Sequence, residues 1–257
     1  MSGGFTKEHK HPADLPDFRD YWKVAGLQIG VGVVYLFRDP EKRRNGLTRL
    51  IRILEKERTN VGILGYALSF EVGKLYVNLG DEVGAIASFA RAVEDHPRPL
   101  GKTFPHMLGK FFESLDRFPR VSEDRKSDVL AVATKALDVA RAKDPKFSYL
   151  CHYWLGYCYE ELGDLPTSLN HYEKGILEHP KPFTREEMRP FVLDAGNCLR
   201  RLNKESDCMF DGGEKADKAF GDMLTGAFVI KRIIDFLGGQ GELGASLIAD
   251  LRNIKAR

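Results

Sequence analysis

Five short stretches of this chain repeat one another, and the repetition limits the fold more tightly than any single motif. The stretches are V-G-V-V-Y-L-F-R-D around Gly32, V-G-K-L-Y-V-N-L-G-D around Gly73, L-G-K-F-F-E-S-L-D-R around Gly109, L-G-Y-C-Y-E-E-L-G-D around Gly156 and A-G-N-C-L-R-R-L-N-K around Gly196. In each, a Gly follows an apolar or small residue and precedes an aromatic or aliphatic residue by three positions. A pattern that recurs at this spacing marks one supersecondary unit that buries its apolar face against copies of itself.

The second and fourth copies agree most closely. Val72, Gly73, Tyr76, Gly80, Ala85, Phe89, Ala92 and Pro97 match Leu155, Gly156, Tyr159, Gly163, Ser168, Tyr172, Gly175 and Pro180, each shifted by 83 residues. Small residues within each copy let two helices approach, and the aromatic residues fill the space beside them. Gly80 and Gly163, each followed by Asp, suit a left-handed helix end leading into a second helix. Pro97 and Pro180 then stop that second helix. In the Gly109 copy, extra residues precede the second helix at 123–143. The Gly-to-Gly spacings of 41, 36, 47 and 40 residues make the array irregular.

This pattern resembles the tetratricopeptide repeat, a helix-turn-helix unit with a small/large/aromatic signature and a closing Pro. The resemblance is carried by 66–99 and 149–182. It implies an all-α fold, a right-handed superhelical stack of antiparallel helix pairs with about five irregular repeats and C-terminal capping helices. In that family first helices line a concave groove that grips peptides or protein surfaces. Carried over by position, the groove here displays Phe70, Lys74 and Asn78, then His106, Lys110 and Glu113, then Tyr153, Tyr157 and Glu160, and finally Asn197 and Arg200. Aromatic anchors and charge-assisted hydrogen bonds suit an extended or helical peptide. The family's groove for a chaperone tail holds terminal carboxylates with Lys, Asn and Arg. The matching positions here are Phe70, Lys74, His106, Lys110, Tyr153 and Tyr157, and only the two Lys fit a carboxylate. That partner is not expected.

Charge and hydropathy narrow the partners further. A net charge of +2 with 30% charged residues does not call for nucleic acid or an anionic membrane. The basic segment 38–58 places Leu47, Leu50, Ile51 and Leu54 at helical spacing, so its Arg and Lys read as a solvated helix face. A nucleic-acid or small-ligand sensor remains the alternative reading, motivated by that segment and by the insertion at 116–124. The apolar stretch 24–37 is too short to span a bilayer, and residues 1–20 carry no secretory pattern. Gly26 and Gly30 within it suit close helix packing. Cys151 and Cys158 lie about 10 Å apart along one helix, too far for a disulfide. Cys158 and Cys198 share a repeat offset. With Cys208, these read as free thiols of a cytoplasmic protein.

Helices are predicted near 17–37, 41–57, 62–79, 82–95, 103–117, 123–143, 147–162, 165–178, 184–202, 214–237 and 242–254, with no strand. The predicted organisation is a flexible lead-in at 1–16, a repeat domain at 17–222 and capping or docking helices at 223–257. The last are also the place for self-association. Asp211-Gly212-Gly213 reads as a turn, and Gly238, Gly239 and Gly241 as a hinge. Ser122, with Glu123 and Asp124, suits the start of the helix at 123–143, which carries Val129, Val132, Ala133, Ala136, Leu137 and Ala140 along one face. His96 and His179 hold one repeat position, at a helix C-terminus where a dipole favours them. Cys151, His152, Cys158 and Cys198 lack zinc-ligand spacing, and no phosphate loop or nucleophile elbow is present. A non-enzymatic protein without metal or cofactor is expected.

Overall fold

The computed structural model describes residues 18–35, 39–61, 64–97, 103–207 and 214–255. Among them the chain is all-helical, without strands. The helices are α1 (Phe18–Tyr35), α2 (Pro40–Arg58), α3 (Gly65–Leu79), α4 (Glu82–Asp95), α5 (Thr103–Leu115), α6 (Glu123–Lys143), α7 (Ser148–Glu161), α8 (Leu165–Leu177), α9 (Arg185–Asp207), α10 (Glu214–Gly238) and α11 (Gly241–Lys255). By backbone contacts the chain forms two compact units, Met1–Phe111 and Phe112–Arg257. The lead-in at 1–16, the turn at 211–213 and Cys208 lie outside the described residues.

The first unit is built on the α3–α4 hairpin, with α2 packed on α3 and α1 on α2. Gly80 ends α3 at φ 72, and its N–H donates to the carbonyls of Tyr76 and Val77. Asp81 then accepts a hydrogen bond from the Gly84 N–H at 2.8 Å, which starts α4. Only glycine takes the left-handed turn without strain, so this residue sets where the helix stops. The close approach of the two helices needs Gly73, where a Cβ would stand 2.7 Å from the Phe89 ring. Phe89, Leu68, Leu75 and Ile86 are wholly buried there, each contributing roughly 2–3 kcal/mol of apolar burial. In α2, Leu47, Ile51 and Leu54 face inward and the basic residues Arg49, Arg52 and Lys56 face out. Gly26 differs from its expected role, since a Cβ there would meet nothing within 4 Å. Its helix leaves Trp22 and Ile29 exposed.

The second unit repeats the same hairpin in α7 and α8. Gly163 ends α7 at φ 79, Asp164 accepts from the Thr167 N–H at 3.3 Å, and a Cβ on Gly156 would meet the Tyr172 ring at 2.8 Å. The correspondence extends to side chains outside the eight matched offsets. His96 packs on Tyr66 with ring centroids 4.6 Å apart and planes at 60°, and His179 packs on Tyr149 at 4.4 Å and 59°. Phe70 on Phe89 (5.5 Å) and Tyr153 on Tyr172 (5.7 Å) form a second equivalent pair. The two His therefore close each hairpin by ring packing against the start of its first helix.

The rest of the second unit departs from a simple repeat. The insertion before α6 folds into a short 3-10 turn at Phe118–Arg120, with Phe118 and Val121 buried. Ser122 stands at the start of α6, yet its side chain makes no capping hydrogen bond. Val132 is 36% exposed rather than buried, and Lys126 lies buried in an ion pair with Glu123 at 2.5 Å. Helix α9 packs on α8, α10 covers α8 and α9, and α11 packs on α9 and α10. Buried Val229, Ile233 and Leu237 of α10 and Leu247 and Leu251 of α11 supply that cover. The glycine-rich segment after α10 is a hydrogen-bonded turn, with the Gln240 N–H on the Leu237 carbonyl at 2.9 Å.

Candidate functional site

The groove positions fall into two groups, one in each unit. In the first unit, Phe70 of α3 meets the edge of the His106 ring at 5.5 Å, and the Lys74 Nζ lies 5.4 Å from the centre of the Phe70 ring. Lys74 also pairs with Glu71 at 2.6 Å, so much of its charge is satisfied within its own helix. The Asn78 side chain donates to the Lys74 carbonyl at 2.7 Å. Lys110 is half-buried on α5.

The second group is richer. The helical spacing of Tyr153, Tyr157 and Glu160 puts them on one face of α7, and an aromatic row runs along it. Tyr153 packs on Phe191 of α9 at 4.7 Å, Trp154 stands edge-on to Tyr153 and Tyr157, both at 5.6 Å, and Phe112 stacks on Trp154 at 5.9 Å. Tyr153, Trp154 and Tyr157 are all half-buried. They are held by packing yet still reach solvent.

Polar bonds tie this face to α8 and α9. The Tyr153 hydroxyl donates to Asp194 Oδ2 at 2.9 Å. Glu160 accepts from the Tyr172 hydroxyl at 2.9 Å and from Arg201 at 3.1 Å. Below them the buried Ser168 hydroxyl and Cys198 thiol lie 3.3 Å apart. Burial pushes the Asp194 carboxyl up to about 6, the Tyr153 bond opposes that rise, and Glu160 adds to it. The Tyr153 hydroxyl is raised by burial and by Asp194. Tyr157 is raised to about 12 by burial, then by Glu161 and Asp116. Asn197 is half-buried on α9, while Arg200 and Glu113 are exposed.

Asp194, Arg201 and Trp154 belong to this network, though the repeat alignment does not single them out. Asp194 lies three residues before Asn197, on the same face of α9, as the one carboxylate in the run Phe191–Gly196. That lone charge in an apolar run was the legible signal. Here Arg201 is taken up by Glu160, and carboxylates dominate around Tyr157.

Behind the same hairpin, on a different face, lies a histidine pair. Arg141 of α6 donates to His152 Nε2 at 3.0 Å, and His152 Nδ1 lies 3.0 Å from His171 Nδ1. Tyr159 stacks on His171 at 5.4 Å and 9°. Burial first, then Arg141 and Lys174, hold His152 down to about 4. Burial, His152, Lys174 and Arg141 do the same for His171, against a smaller opposing effect of Asp138. The three cysteines among the described residues are free and buried, and burial raises the Cys151 and Cys198 thiols to about 12. Thiols so protonated are poor nucleophiles. No group of three or more His, Cys, Asp or Glu among the described residues is placed to hold a metal ion. No described helix is long and apolar enough to cross a membrane.

Compared with protein-family models and with curated proteins, the chain matches none.

Proposed function

We propose that this protein is a non-enzymatic interaction module that holds a peptide segment or protein surface of a partner against the faces of α7 and α9. The tetratricopeptide-like reading, with its stacked repeats, is part of the same proposal, as is a reducing, cytoplasmic setting for the free thiols. One observation carries it. The α7 row of Tyr153, Trp154 and Tyr157 is fixed by ring contacts on both sides and is left half-exposed. Rigid aromatic side chains presented in this way lose little conformational entropy when a partner covers them, and such residues dominate the energetics of protein contacts.

The test is capture of binding partners on wild-type protein and on Tyr157→Ala/Asn197→Ala, with the helical content of both verified. A partner held by the wild type and lost by the variant supports the α7–α9 face as the working surface. A partner held equally by both places the interaction elsewhere and overturns this assignment.

A further inference from the structure

The face formed by α7 and α9 has more chemistry than a generic peptide groove. Its aromatic row is bordered by Asp116, Glu160, Glu161 and Asp194. Among the described residues, the cation bound to these carboxylates is Arg201, which is committed to Glu160 at 3.1 Å. Asp194 is half-buried, and among the described residues its one hydrogen bond comes from a neutral phenol, Tyr153. That bond occupies Oδ2 and leaves Oδ1 without a donor. Arg117, half-buried beside Asp116, and exposed Arg200 are the remaining cations nearby in the chain.

We infer that the segment recognised here is basic: a Lys or Arg side chain of the partner sits over the Tyr153–Tyr157 rings with its charge on Asp194. This rests on the interaction-module reading and names the partner's chemistry. Two physical terms favour a cation over an anion or a neutral residue. A carboxylate removed from water gains most from a charged donor, because burial has already stripped part of its hydration. A tyrosine face attracts the same cation through its ring quadrupole. An acidic segment would meet the carboxylates of Asp194, Glu160 and Glu161, and a phosphate backbone would be repelled in the same way.

Selection from a random-sequence peptide display library on the full-length protein tests this, with Tyr157→Ala, Asp194→Asn and Asp128→Asn run in parallel. Asp128 is an exposed α6 residue, so Asp128→Asn makes the same change in net charge away from the face. The expected result is enrichment of Lys- or Arg-bearing peptides. Their affinity should fall about tenfold with Asp194→Asn, as for loss of one charge-assisted bond, and stay unchanged with Asp128→Asn. Asp194→Asn keeps the acceptor for Tyr153, so the fold is retained; an unchanged circular-dichroism spectrum and a cooperative melt no lower than that of wild type verify it. Binders lost in Tyr157→Ala but not enriched in basic residues, or weakened equally by both charge variants, overturn the basic-segment inference and leave the interaction reading standing. A library that yields no binder dependent on Tyr157 overturns both.

Discussion

At the scale of single residues, the signature glycines look alike in sequence and differ sharply in what surrounds them. A Cβ on Gly156 would stand 2.8 Å from the Tyr172 ring and 3.2 Å from the Ser168 carbonyl. Tyr172 is fully buried and tethered to Glu160, so the ring has nowhere to go. Gly156→Ala should cost about 1–3 kcal/mol through overpacking, more than the gain of up to about 1 kcal/mol from helix propensity. At Gly109 nothing lies within 4 Å of the added carbon, and Gly109→Ala should stabilise by roughly 0.5–1 kcal/mol. Urea midpoints of the two variants check both signs. The same scale carries opposing pH dependences. His152 and His171 titrate near 4 in the fold and near 6.5 when unfolded. Their contribution is complete above about 6.5 and is lost as pH falls towards 4, because the unfolded chain then binds more protons. Asp194 works the other way. Its folded value of about 6 exceeds the unfolded one near 3.9, so its contribution is largest below 3.9 and is lost as pH rises through 6. Urea unfolding between pH 4 and 7 should show stability rising more steeply with pH in Asp194→Asn than in wild type, and less steeply in His171→Gln. Equal slopes in all three proteins would contradict both assignments.

At the scale of elements, helix ends are the most local decision in the chain. Gly80-Asp81 and Gly163-Asp164 each combine a left-handed stop with a side chain that caps the next helix, and residues within four positions suffice to do it. The two caps are not equal. Asp81 holds the Gly84 N–H at 2.8 Å, while Asp164 holds the Thr167 N–H at 3.3 Å ahead of Pro166. That Pro presets helical backbone on its own. Asp81→Ala should therefore cost about 1 kcal/mol and Asp164→Ala less, read from thermal melts. The eleven helices among the described residues were legible because their apolar spacing and terminators are local, and their ends fall close to the predicted ones. The exceptions have local causes too. α9 runs on to Asp207, past the predicted end at 202, because no Gly or Pro follows Leu202 within the helix to stop it. Val132 faces outward because Lys126 and Leu130 occupy the buried stripe of α6 instead.

At the scale of the whole molecule, α11 is the element most separate from the repeat pattern and most exposed to test. It covers α9 where a Cβ on Gly196 would meet Ile254 and Leu251 at 2.7 and 2.8 Å, and Arg185 and Arg189 of α9 both reach Asp250 at 2.9 and 3.4 Å. Ending the chain at Gln240 removes that cover. The expected result is a lower melting temperature and faster proteolysis within α9; an unchanged melt would show that α10 covers α9 by itself. The amino-acid sequence by itself determined the helices, their ends and the equivalence of the α3–α4 and α7–α8 hairpins, since each depends on residues within one or two turns. Only the tertiary structure decided that Asp194 meets Tyr153 across 41 residues, that Arg201 neutralises Glu160, and that His152 faces His171. Charge balance at a surface depends on which side chains pair across helices. That pairing is set by packing, and no local pattern encodes it.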